Sequence, residues 1–201
     1  QEAPGVYNDT ILAGLDYLLM EMGKRKMVAV LYLNNSWEWS GGYGYYLEQA
    51  GLGKAPRPEE DGYPAFMNFV AQYASCDKAH QLFYDYVRFI LTRTNRYTKK
   101  KYKDDPAIMS WQIGNEPRAF SKEQLPAFEK WLGETSKLIR SLDKNHLISI
   151  GSEGKWGCEG ELDCWERICA DRNVDYCNIH LWPYNWSWAR KDHLLEDLGV
   201  S

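Results

Sequence analysis

Four times between Thr10 and Leu181 the hydrophobic pattern changes from helical spacing to a short, continuous apolar run, and this alternation restricts the fold more than any other feature of the chain. From Thr10 to Gly23, the residues Ile11, Leu12, Leu15, Leu18, Leu19 and Met22 recur at helical spacing, with Asp9 placed to cap the helix and Gly23 to stop it. After the basic run Lys24-Arg25-Lys26, Met27 to Leu33 reads as a strand ending in Asn34 and Asn35. A second helix is expected from Asp77 to Thr94, with Leu82, Phe83, Tyr86, Val87, Ile90 and Leu91 on one face, followed by a strand from Ala107 to Gly114. The continuous apolar character of that strand points to burial on both faces. The third helix runs from Ser121 or Leu125 to Leu142, with a capping-box pattern over Ser121 to Gln124 and Pro126 in its first turn. Leu147 to Ile150 is a short strand, Leu162 to Ala170 a weaker helix, and Tyr176 to Leu181 the last clear strand; Leu194 to Leu198 is placed to open one more helix. With right-handed crossovers, this order gives an α/β chain with a parallel sheet of at least four strands. The stretch from about 36 to 76, rich in Gly, Tyr and Pro, is too long for an ordinary connection and reads as one long strand-to-helix loop of the kind that carries function.

Parallel α/β sheets and barrels hold their chemistry at the carboxyl ends of the strands. The Ala107–Gly114 strand runs out into Asn115-Glu116-Pro117, so a carboxylate stands at that rim. Trp111-Gln112-Ile113-Gly114-Asn115-Glu116-Pro117-Arg118 resembles the acid/base segment of glycoside hydrolase family 5. Leu31-Tyr32-Leu33-Asn34-Asn35-Ser36-Trp37 is similar to the third strand end of that family. Gly151-Ser152-Glu153-Gly154 is similar to the fifth strand end, and Asn178-Ile179-His180-Leu181-Trp182-Pro183 to the sixth. In this order the four segments resemble the endo-β-1,4-mannanase branch, from about Tyr7 to Trp188. The resemblance implies a partial (β/α)8 TIM barrel, with residues 1–201 an incomplete catalytic domain holding strands three to six and lacking the first two and last two.

The same resemblance implies the roles. Glu116 is the acid/base, Asn115 orients the sugar through its 2-hydroxyl, and His180 holds the nucleophile and substrate in place. Arg118 contacts sugar hydroxyls on the leaving-group side, Glu153 is a substrate contact rather than the nucleophile, and Asn35 and Trp37 form the cleft floor. Trp182 stands where much of the family has a Tyr supporting the nucleophile, and is read as stacking on sugar. The family's nucleophile belongs to the seventh strand, so none is carried over. Hydrolysis of this kind needs no metal and no organic cofactor. The implied partners are β-mannan, glucomannan or galactomannan oligosaccharides and the remainder of the barrel. Open alternatives are a carbohydrate-binding remnant without turnover, a fragment of a family 5 cellulase or glucanase, and an incomplete chain with no function of its own.

Composition narrows the field further. A net charge of -4 with both signs scattered along the chain excludes the basic stripe of a nucleic-acid surface, and Lys99-Lys100-Lys101-Tyr102-Lys103 reads as a solvated loop. No apolar run is long enough for a membrane span. Aromatics make up 14% of the chain, and Trp37, Trp39, Trp156, Trp182, Trp186 and Trp188 fall where strands hand over to loops, as in a sugar-binding cleft. The spacing of Cys76, Cys158, Cys164, Cys169 and Cys177 lacks the paired Cys-x-x-Cys of zinc sites, and Cys158 with Cys164 is placed to close a short loop in an oxidising compartment. Gln1 follows no initiator Met and no signal peptide, so the chain is read as a mature start or as cut from something longer. By family resemblance it is expected to be secreted, extracellular or periplasmic.

Overall fold

The computed structural model describes residues 3–184 together with 187, 190, 192 and 193. Helix α1 (Asp9–Lys24) feeds β1 (Ala29–Tyr32), α5 (Asp77–Thr92) feeds β2 (Ile108–Gln112), α6 (Leu125–Leu142) feeds β3 (Leu147–Ser149), and α7 (Leu162–Cys169) follows. The strands pair in parallel in the order β1-β2-β3. Register is set by Leu31 opposite Trp111 and by Trp111 opposite Ile148. This is part of a (β/α)8 barrel: each helix covers one face of the sheet, and every crossover returns the chain to the same end.

The core lies between sheet and helices, where Phe83, Val87, Ile90 and Leu91 of α5 meet Phe128, Trp131, Leu132 and Ile139 of α6, all buried. Each such side chain contributes roughly 1.5–3 kcal/mol by leaving water. At the end of the sheet opposite the rim, the buried Asp16 of α1 accepts hydrogen bonds from Arg93 Nε and Nη2 at 3.0 and 2.7 Å and from Tyr102 Oη at 2.6 Å. A buried carboxylate is tolerated only with such partners, and these tie α1 to the connection between α5 and β2.

Several expectations are corrected. The stretch 36–76 is not a loop: it folds into α2 (Gly42–Ala50), α3 (Pro58–Asp61) and α4 (Tyr63–Val70). Tyr43, Tyr46, Phe66 and Tyr73 of this stretch are core, with Tyr43 and Tyr73 stacked at 3.9 Å between centroids, whereas Trp39 and Tyr63 are exposed. Tyr176 to Leu181 forms no strand. It reaches β3 through one bridge from Tyr176 to Ser149 and through the Asn178 side chain, which accepts from the Gly151 N–H at 2.9 Å. Ile179 and Leu181 are exposed, and among the described residues no further strand pairs with this segment. On β2, Met109 is exposed while Ile108, Ser110 and Trp111 are buried, so burial on both faces fails at the strand's start.

Local signals also moved. The cap of α1 is Asn8, whose Oδ1 accepts from the Ile11 N–H at 3.0 Å, rather than Asp9. Ser121 makes no capping box: its hydroxyl donates to Glu123 at 2.6 Å, and α6 begins after it with Pro126 in the first turn. The disulfide joins Cys169 to Cys177, whereas Cys158 and Cys164 are buried free thiols. Mutual hydrogen bonding with Cys164, and then burial, push the Cys158 thiol far up. Trp186, Trp188 and the helix expected over Leu194 to Leu198 lie outside the described residues.

Candidate active site

Backbone geometry at the carboxyl end of β2 creates the site. The ladder continues past the strands, with the Asn115 N–H donating to Asn34 O at 2.8 Å and the Glu116 N–H to Gly151 O at 3.0 Å. Glu116 then turns into the left-handed region at φ 51°, a conformation that a residue with a Cβ adopts at some cost and that is often seen at functional sites. The approach of the β3 end makes this possible. A Cβ on Gly151, itself at φ 88°, would lie 1.8 Å from Gly114 O, so only glycine fits there. The Ser36 hydroxyl donates to the Glu116 carbonyl and clamps the turn from the β1 side.

Three N–H groups reach the Glu116 carboxylate. Trp37 Nε1 donates to Oε2 at 2.8 Å; Trp182 Nε1 donates to Oε1 at 3.3 Å, and His180 Nδ1 lies 2.8 Å from the same oxygen. The side chain remains 12% exposed, open to a cleft of about 610 Å³ lined by Trp37, Trp39, Tyr63, Met67, Asn115, Glu116, Glu153, His180 and Trp182. Aromatic walls around a few convergent polar groups suit a sugar, whose C–H faces stack on rings while its hydroxyls keep hydrogen bonds.

Glu153, at the end of β3, is the second carboxylate of the cleft. Burial raises its carboxyl above the ordinary range, and the neighbouring Arg118 guanidinium works against that rise. Arg118 Nε and Nη2 both reach Glu153 Oε2, at 3.0 and 2.8 Å, and the guanidinium lies over the Trp37 ring at 5.3 Å. Glu153 is thus engaged by Arg118 on one oxygen while it faces the cleft.

Six of the expected site residues, Glu116, Asn115, His180, Glu153, Trp182 and Trp37, share the cleft. Two stand behind it. Arg118 supports Glu153 and Trp37, while Asn35 is buried and spends Oδ1 on the Trp37 N–H at 3.1 Å and on Asn115 Nδ2 at 3.4 Å. Asn35 therefore shapes the floor without lining it. Trp182, read as a stacking ring, also donates a hydrogen bond to the Glu116 carboxylate. Trp156 lies away from the cleft beneath Lys155. Tyr63 and Met67 were missed because they belong to α4, inside a stretch that reads as loop; the helical spacing of Phe66, Met67 and Val70 was the available signal. Among the described residues, no three His, Cys, Asp or Glu side chains are grouped to hold a metal.

A glutamate thus stands at the carboxyl end of a strand, held by indole and imidazole groups in an aromatic cleft. The chain belongs to glycoside hydrolase family 5, matching the β-mannosidase-like family model over residues 1–200. It is 31% identical to mannan endo-1,4-beta-mannosidase 4 of Oryza sativa subsp. japonica, over 94% of this chain and 41% of that protein. Against mannan endo-1,4-beta-mannosidase 4 of Solanum lycopersicum it is 32% identical, over 92% of this chain and 46% of the other. The family 5 mannosidase of Rhizomucor miehei superposes with a TM-score of 0.84 at 34% identity, covering 98% of this chain and 46% of that one. A variant of that enzyme has been solved in complex with mannosyl-fructose. The chain thus spans less than half the length of the curated relatives it matches.

Proposed function

We propose that these residues form the acid/base half of a retaining endo-β-1,4-mannanase acting on β-mannan and its glucose- or galactose-containing variants. One observation carries the reading: Glu116, at the end of β2, receives Trp37, His180 and Trp182 at the floor of an aromatic cleft. In the reaction, Glu116 protonates the leaving glycosidic oxygen while a second carboxylate, roughly 5–5.5 Å away, attacks the anomeric carbon; Glu116 then deprotonates the water that releases the glycosyl-enzyme. Asn115 faces the same cleft and is suited to the sugar 2-hydroxyl. The attacking carboxylate is assigned to a part of the barrel beyond the described residues, since Glu153 is occupied by Arg118. The Cys169–Cys177 disulfide supports a secreted location.

The test is reducing-sugar release from mannan by the full-length protein. Glu116→Gln is expected to lower turnover by about 10²–10⁴-fold, the usual contribution of a positioned acid/base. A mixture of oligosaccharides as products supports internal cleavage, whereas mannose alone would make the enzyme exo-acting. EDTA is expected to leave hydrolysis unchanged, and loss of activity on chelation would overturn the mechanism. A second reading, sugar binding without turnover, is favoured for the 201 residues alone by the engagement of Glu153 with Arg118. Binding of mannohexaose by that chain with no reducing-sugar release would support it.

A further inference from the structure

We infer that Trp39 is a sugar platform between the cleft over Glu116 and a second groove, and that this groove takes further residues of the same β-linked mannan chain. The inference rests on the mannan reading above and extends it to a region not assigned to any site. Trp39 is 55% exposed and stands with Tyr63 and Trp182 among the open rings around the cleft, while Tyr43, Tyr73 and Trp131 fill the core. The backbone is built to keep it there. Ser40, Gly41 and Gly42 follow it with φ of 59, 83 and 26°, three consecutive residues in a region that L side chains rarely adopt. At Gly42 a Cβ would lie 2.3 Å from Trp37 O and 2.7 Å from Asn35 O, so the turn is pressed against the same segment that supports Glu116.

On one side of Trp39 is the catalytic cleft. On the other is a groove of about 550 Å³, which shares Trp37 and Trp39 with the cleft and is completed by Tyr45, Glu48, Lys54 and Arg57. Rings next to charges of both signs are the lining that a polyhydroxylated chain needs, with faces for C–H groups and both donors and acceptors for hydroxyls. The two spaces meet at one exposed indole. A polymer passing through the cleft therefore has a continuous path over Trp39 into the groove, whereas a short sugar does not reach it.

Calorimetric titration of the chain with mannobiose and mannohexaose tests this, with circular dichroism to verify folding of the variants. Trp39→Ala is expected to weaken mannohexaose by about tenfold, the scale of one aromatic contact, and mannobiose, which fits within the cleft, by clearly less. Trp39→Phe should restore most of the loss. Lys54→Ala, at a residue that lines the second groove and not the cleft over Glu116, should weaken mannohexaose selectively and less. Equal losses for both sugars, or no loss for either, would overturn the platform while leaving the mannan reading in place. Absence of any binding by the unaltered chain would overturn both.

Discussion

The same donor set holds a carboxylate at both ends of β2, and only one end opens onto a cleft. At the rim, Glu116 meets Trp37 Nε1 and His180 Nδ1, each at 2.8 Å. At the base, Asp143 meets Trp111 Nε1 and His146 Nδ1, each at 2.7 Å. Hydrogen bonding hardly separates the two triads, and access does. Asp143, His146 and Trp111 are buried, and His146 spends its second nitrogen on Asp105 O at 3.0 Å. Glu116 and His180 open onto the cleft, and Trp182 is half exposed. A carboxylate, an imidazole and an indole thus make a closed lock when water is excluded and an accessible polar cluster when a cleft reaches them.

Removing the two carboxylates should break the comparison most widely. Asp143→Ala leaves His146 and Trp111 buried without their acceptor, and is expected to cost about 3–5 kcal/mol in urea denaturation. Glu116→Ala should change stability by no more than about 1 kcal/mol, because water replaces the carboxylate and the left-handed turn remains. Similar losses at the two positions would mean that access is not what separates them.

The pH dependence gives a smaller difference. Burial acts to raise the Asp143 carboxyl, but hydrogen bonds from His146, Trp111 and the backbone outweigh it and hold the group at about 2. Burial acts to lower the His146 imidazole, and the Asp143 carboxylate overrides it, leaving the imidazole raised. A lowered carboxyl contributes stability that is complete above its unfolded value near 3.8 and is lost as the pH falls towards 2. A raised imidazole contributes stability that is complete below 6.5 and is lost as the pH climbs through its folded value. Stability from the pair should therefore be greatest between these limits, with roughly 2 kcal/mol lost on the acid side. Asp143→Asn should flatten that limb.

The two triads were not equally legible in the sequence. The rim could be read because Asn115-Glu116-Pro117 closes an apolar run and three other strand ends carry matching segments. The base gave no signal, because Asp143 and His146 follow a helix and resemble solvated turn residues until Trp111 is packed against them. The alternation of helix and strand was plain in the apolar spacing, and the helices α1, α5, α6 and α7 fall close to where it places them. What stayed hidden depends on partners distant in sequence. Helices α2 and α4 bury Tyr43 and Phe66, with Tyr43 edge-on to Trp131 of α6, and the Gly and Pro content of this region resembles loop. Cysteine pairing follows space and not spacing, so Cys169 reaches Cys177 while the closer-looking Cys158 and Cys164 remain thiols. Tyr176 to Leu181 has strand composition, yet it meets β3 through the single Tyr176–Ser149 bridge.

The finest test makes one substitution at both ends. Trp111→Phe keeps a ring but removes the N–H that Asp143 accepts, in a place where no water can substitute. With the added cavity, the loss should be roughly 2–3 kcal/mol. Trp37→Phe removes the corresponding donor from Glu116 and keeps the edge-on contacts with Tyr63 and Phe120. Cleft water can take over that hydrogen bond, so the cost should be about 1 kcal/mol or less. If Trp37→Phe were as costly as Trp111→Phe, the indole beneath Arg118 would be a structural pillar first, and Glu116 would owe its position to packing rather than to the hydrogen bond.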